Sequence, residues 1–189
     1  MPVGLNMNTQ VQRLNRAGEL SSNKTHLESV IAQDVYKGLI RNQHLPLEDK
    51  VPDFQLNNEF GELVSAYQML QDNELIVSFG GQPSTCEINQ GLIKYGIKHI
   101  AVNAEADGHS SCASNECIVH IDENLQLFKQ FGLAIDKNES AKDFAGIQHA
   151  LQAYYFVNKQ GVVTYSKVTF DGQALNLNEI LEASSKQYH

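Results

Sequence analysis

The sequence predicts an α/β fold, a central mixed sheet with helices on both faces, preceded by a helical extension over residues 1–45. Three observations carry that prediction. Apolar positions in the first segment recur at helical spacing, and strand-like and helix-like runs alternate from Phe54 onward. Within the second region "ELIVSFG" is one unbroken apolar run, the pattern of a strand covered on both faces of a sheet. The main domain is therefore placed at residues 46–189.

The elements follow in order. "THLESVIAQDVYKGLI" opens with Thr25 three residues before Glu28, the spacing at which side chain and backbone cap each other at a helix start. Its Leu27, Val30, Ile31, Val35 and Leu39 recur with the helical period. "HLPLEDKVPDF" stops the helix with two prolines, which lack the N–H a helix interior needs. "DFQL" and "ELVS" read as strands around the turn "NNEFG", and "AYQMLQ" as a short helix. "EINQGLIKYG" reads as a helix with Ile88, Leu92 and Tyr95 on one face and Gly96 as its stop. "IKHIAVNAEA" is a second buried strand, and "ENLQLFKQFG" a helix ended by Gly132. "AYYFVNKQGVVTYSKVTF" forms a hairpin around Lys159, Gln160 and Gly161, and "NLNEILEASSK" closes the chain as a helix.

Composition limits the function classes. A chain of 189 residues with 42 % hydrophobic and 19 % charged residues is ordinary globular material, long enough to bury a substantial core. A net charge of −8, with arginine only at positions 13, 16 and 41, argues against a nucleic-acid surface, which needs clustered cations. No apolar run approaches the roughly 18 residues that span a bilayer. The opening "MPVGLNMNTQVQRLN" lacks the apolar core of a secretory signal, so a cytoplasmic location with no membrane partner is the expectation. Three cysteines without such a signal do not suggest a disulfide framework. They are free, redox-active or buried thiols.

One cysteine has a chemically informative position. In "PSTCE", Ser84 lies three residues before Glu87, which makes Ser84 a candidate N-cap and Cys86 the second residue of the helix. A thiol there faces unpaired backbone N–H groups and the positive end of the helix dipole, both of which favour the reactive thiolate. Thr85 can add a hydroxyl hydrogen bond, whereas the negative charge of Glu87 acts in the opposite sense. The plainer reading is that Cys86 is a small buried hydrophobe.

The other two cysteines lie in "DGHSSCASNECIVH", with His109 and His120 outside Cys112 and Cys117. The set resembles a zinc site in residue type. If "CIVHI" is a strand, however, Cys117 and His120 point to opposite faces and do not share one ion, so no metal is expected. Cys117 then reads as a strand core residue.

From "VPDFQLNNEFGELVSAYQML" through "ELIVSFGGQPSTCEINQGL", the chain resembles the alkyl hydroperoxide reductase/thiol-specific antioxidant family, the peroxiredoxins. "IVHIDENLQLFKQFGLAI" and "AYYFVNKQGVVTYSKV" resemble the family's next strand-and-helix unit and its C-terminal hairpin, so the likeness covers residues 50–185. The helical lead-in is similar to that of a peroxiredoxin-like branch carrying a Trp-Cys-Pro-x-Cys motif. The resemblance implies a thioredoxin-like fold and a thiol-dependent peroxidase. Cys86 would be the nucleophile, Thr85 would orient it, and Cys112 would resolve its sulfenic acid into a disulfide. The implied partners are a peroxide or disulfide substrate and a thioredoxin- or glutathione-type reductant. The resemblance implies no metal or organic cofactor, and such proteins often form homodimers.

The family pattern is not complete. Aligned without gaps from Phe79, Thr85 takes the place of the family's threonine and Ile88 that of its peroxidatic cysteine; with a loop two residues shorter, Cys86 itself takes the cysteine position. No arginine follows Arg41, so the family's peroxide-binding arginine has no counterpart. No proline precedes the "YYFV" strand, which reads "HALQAYYFV". These departures carry the alternative reading, a catalytically degenerate member of the fold acting as a binding or regulatory module. His149 and Tyr154, which flank the missing proline, are assigned no role.

Overall fold

The computed structural model describes residues 30–31, 33–58, 60–80, 86–104, 117–134, 151–170 and 177–185; the side chains of residues 86–89, 177 and 183–185 lie outside that description. Helix α1 spans residues 30–43 apart from 32. A two-stranded hairpin follows, β1 (Gln55–Asn57) and β2 (Leu63–Ser65), leading directly into α2 (Ala66–Leu70). The main sheet then alternates with helices: β3 (Glu74–Phe79), α3 (Cys86–Lys94), β4 (Ile97–Asn103), β5 (Cys117–Ile121) and α4 (Gln126–Gln130). The hairpin β6 (Gln152–Val157) and β7 (Val163–Thr169) and helix α5 (Leu177–Ser185) complete it.

The five-stranded sheet has the order β5-β4-β3-β6-β7. Strands β3, β4 and β5 run parallel, while β6 is antiparallel to β3 and β7 antiparallel to β6, so the sheet is mixed as expected. Every residue of β3 is buried, as its continuous apolar run requires. Its alternate side chains enter two separate cores. Leu75, Val77 and Phe79 join the larger cluster with Ile40 of α1, Met69 and Leu70 of α2, and Leu127 and Phe128 of α4. Ile76 enters the smaller one with Leu92 of α3, Ile97, Phe156 and Ile180 of α5.

Aromatic rings dominate the larger core. Phe79 at the end of β3 meets Phe131 at 4.8 Å, Phe128 at 5.0 Å and Tyr155 at 6.0 Å between ring centroids, and the tilted and edge-on orientations suit their quadrupoles. The Tyr155 hydroxyl is buried there without a hydrogen-bond partner, and burial raises its pKa.

Turn chemistry explains the connections. Asn58 Oδ1 accepts from the N–H groups of Phe60 and Glu62 at 2.9 Å in the β1–β2 turn, and Asn158 Oδ1 accepts from Gln160 and Val162 in the β6–β7 turn. Helix α2 starts with a reciprocal cap: Ser65 Oγ accepts from Gln68 N–H, and Gln68 Oε1 accepts from Ser65 N–H. Helix α4 lacks a cap from its adjoining residue Leu125. The buried carboxylate of Asp122 instead accepts from the N–H groups of Gln126 at 2.8 Å, Leu127 at 2.7 Å and Phe128 at 3.0 Å.

Two expectations are corrected. Tyr95 does not share the buried face of α3 with Leu92; it lies in the turn after the helix and is exposed, because Gly96 with φ +69° has already reversed the chain. In α1 the expected apolar set Val30, Ile31, Val35 and Leu39 faces solvent, and Ile40 enters the core. Helical spacing identifies an apolar stripe but does not say which stripe meets the sheet. The Thr25–Glu28 cap lies outside the described residues.

Two substitutions test this account by urea denaturation. Asp122→Ala strands three amides at the start of α4 and should cost about 2–3 kcal/mol. Tyr155→Phe removes an unpartnered buried hydroxyl and should leave stability unchanged or raise it by about 1 kcal/mol. A loss above that size on Tyr155→Phe would mean the hydroxyl has a partner.

Candidate functional site

The parallel strands β3 and β4 end on the same edge of the sheet, and α3 begins just beyond that edge. Gly80 makes the exit from β3 possible. Its φ of +64° is open to glycine, a Cβ there would collide with the Leu151 carbonyl ahead of β6, and its N–H donates to Val102 O at 3.0 Å. The chain is thus held between β4 and the segment before β6. Cys86 is the first residue of α3. Its side chain, together with Ser84, Thr85, Cys112, His109 and His149, lies outside the described residues.

The face of the sheet beneath α3 carries a polar band that the sequence reading did not single out. In register, Ile76 lies opposite His99 and Ser78 opposite Tyr154, while Cys117 lies opposite His99. Ile76 and Phe156 of this face pack with Leu92 of α3, which fixes the side on which the helix lies. Ser78, His99, Cys117 and Tyr154 therefore share the α3 face across four adjacent strands, all of them buried. The signal in the sequence was a polar or thiol residue at alternate positions of apolar strands: Ser78 in "ELIVSF", His99 in "IKHIAVN" and Cys117 in "CIVHI".

Ser78 Oγ and His99 Nε2 form a buried hydrogen bond of 2.7 Å. Burial lowers the His99 pKa to about 4, so its imidazole is neutral at physiological pH. The pair supplies neutral hydrogen-bonding groups beneath the helix and adds no positive charge there. Cys117 is a buried thiol whose Sγ donates to the Ile118 carbonyl at 3.7 Å, as expected of a strand core residue. Cys117 and His120 do alternate to opposite faces, their register partners being His99 and Val102. Among the described residues no three His, Cys, Asp or Glu side chains come together as a metal site would require.

No family model matches the chain, and no curated protein matches its sequence. Solved structures do match its fold. The reduced 2-Cys peroxiredoxin of Plasmodium vivax superposes with a TM-score of 0.53 at 12 % identity, covering 76 % of this chain and 97 % of that one. Peroxidoxin BcpB of Mycobacterium tuberculosis gives a TM-score of 0.54 at 11 % identity over 76 % of this chain and 98 % of its own. A thiol:disulfide interchange protein DsbE from Chlorobium tepidum gives 0.52 at 18 % identity over 77 % and 99 %. The fold is thus thioredoxin-like, of the kind found in peroxiredoxins, and likeness at this identity is a likeness of fold.

The buried imidazole makes stability depend on pH. Unfolded, His99 binds its proton near pH 6.5, and folded only near 4, so the unfolded state holds the extra proton between these values. Its contribution is complete above pH 6.5 and is lost as pH falls towards 4, about 3 kcal/mol in all. Urea midpoints measured at pH 7.5, 6 and 5 should decline accordingly, and Ser78→Ala combined with His99→Leu should flatten the decline. An equal decline in that double variant would assign the pH dependence to other groups.

Proposed function

We propose that the chain is a thiol-dependent redox protein that reduces peroxides through Cys86. The observation that carries this reading is a cysteine at the first position of α3, directly after the central strand, in a fold shared with peroxiredoxins and a thiol:disulfide interchange protein. The free N–H groups and dipole at a helix start favour the thiolate, which is the nucleophilic form. In the reaction the Cys86 thiolate attacks the terminal peroxide oxygen. An S–O bond forms, the O–O bond breaks, and the sulfur gives two electrons to the peroxide. The departing alkoxide takes a proton and leaves as an alcohol, or as water from hydrogen peroxide, and Cys86 becomes a sulfenic acid. Thr85 orients the thiolate, and Cys112 attacks the sulfenic sulfur, forming the disulfide and releasing water. An external reductant, one thioredoxin-type dithiol or two glutathione-type monothiols, then restores both thiols by exchange and is itself oxidised to a disulfide.

A second reading is a degenerate member of the same fold that binds a partner without turnover. It is favoured by the absence of any arginine after Arg41 and of a proline ahead of β6. The neutral His99 beneath α3 does not replace the lost cation.

Intact mass after one equivalent of hydrogen peroxide separates the two. The reduced protein should lose two hydrogens within minutes, Cys86→Ser should lose none, and Cys112→Ser should gain one oxygen trappable by a sulfenic-acid reagent. An unchanged mass in all three proteins over the same time would overturn peroxide reduction and leave the binding module.

A further inference from the structure

We propose that the outer face of α1 is a homodimer interface, in which two copies of this helix pack antiparallel across Gly38. At roughly 100° per residue, Ile31, Val35, Gly38 and Leu39 fall on one side of the helix, opposite Ile40. Ile40 is fully buried in the domain core, whereas Ile31 is 55 %, Val35 57 % and Leu39 43 % exposed. The helix therefore has two apolar faces, and its own domain covers one.

Gly38 provides the second observation. Glycine in a helix interior is unfavourable relative to alanine. Among the described residues nothing requires it, because a Cβ at Gly38 would meet no atom within 4 Å. A residue without a side chain at the edge of an apolar stripe, next to its charged flank, lets a second helix approach closely there.

The charges fix the occupant and its direction. Asp34 and Arg41 lie on the same flank of the stripe, about two turns apart, with Gly38 between them. Arg41 is held there with its guanidinium 5.5 Å from the centre of the Phe170 ring. A two-fold axis near Gly38 sets each Asp34 against Arg41 of the second copy, and each Val35 against the second copy's Leu39. A parallel arrangement would put the charged flanks of the two copies on opposite sides of the contact and leave these charges unpaired. The face is thus complementary to itself, as an isologous contact must be. One helix per side buries less than the roughly 1,600 Å² of a standard interface, so the dimer should dissociate in the micromolar range.

Sedimentation velocity on the full chain, kept reduced and taken from low to high micromolar concentration, tests this. The expected result is a monomer–dimer equilibrium that Val35→Asp converts to monomer with an unchanged far-UV circular dichroism spectrum. Asp34→Arg and Arg41→Asp should each weaken association at least tenfold, and the two in one chain should restore it. Gly38→Gln should weaken association while leaving the melting temperature equal or higher. A chain that stays monomeric throughout overturns the proposal. If Val35→Asp then lowers its melting temperature, another part of the same chain covers the stripe. A dimer that survives Val35→Asp, or charge reversals without mutual rescue, overturns it equally.

Discussion

Strand β3 must be dry on both faces, and most of the molecule is arranged to meet that requirement. Leu75, Val77 and Phe79 need one apolar layer, and Ile76 needs another on the opposite side. Helices α1, α2 and α4 supply the first, and α3 and α5 the second. Phe79 matters most, because its ring joins Phe128, Phe131 and Tyr155 into one aromatic cluster at the strand's end. That end is also where Gly80 turns the chain towards Cys86, so the packing that stabilises the fold positions the cysteine-bearing helix.

The same strand opens on Glu74 and carries one further polar residue, Ser78, which sets the character of the candidate site. Ser78 can be buried only with a partner, which His99 provides from β4. The imidazole in turn remains neutral because it is out of water. A thiolate at the start of α3 would therefore depend on the helix N–H groups rather than on this histidine. The buried thiol of Cys117 belongs to the same layer, which distinguishes it from a cysteine placed for reaction with solvent-borne oxidants.

Much of this was legible in the residues, for identifiable reasons. Periodicity gave the strands and helices, because a side chain's face follows from its position along the backbone; "ELIVSF" is buried throughout and Gly96, Gly132 and Gly161 all turn the chain with positive φ. Less was legible where a local pattern had two spatial solutions. The apolar stripe of α1 was visible, yet Ile40 rather than its neighbours Val35 and Leu39 meets the core. The cap of α4 was missed because its carboxylate, Asp122, lies four residues ahead of the first amide it binds.

The sequence by itself determined the α/β order of elements, the absence of clustered cations and the presence of a cysteine beside a helix start. These depend on residue type and on spacing within a single element. Only the tertiary structure decided that Ser78, His99, Cys117 and Tyr154 share one buried layer, because that depends on the register of four strands from distant parts of the chain. It likewise decided which face of α1 is left in water. A register is set by the packing of both sheet faces at once, and no single segment carries that information.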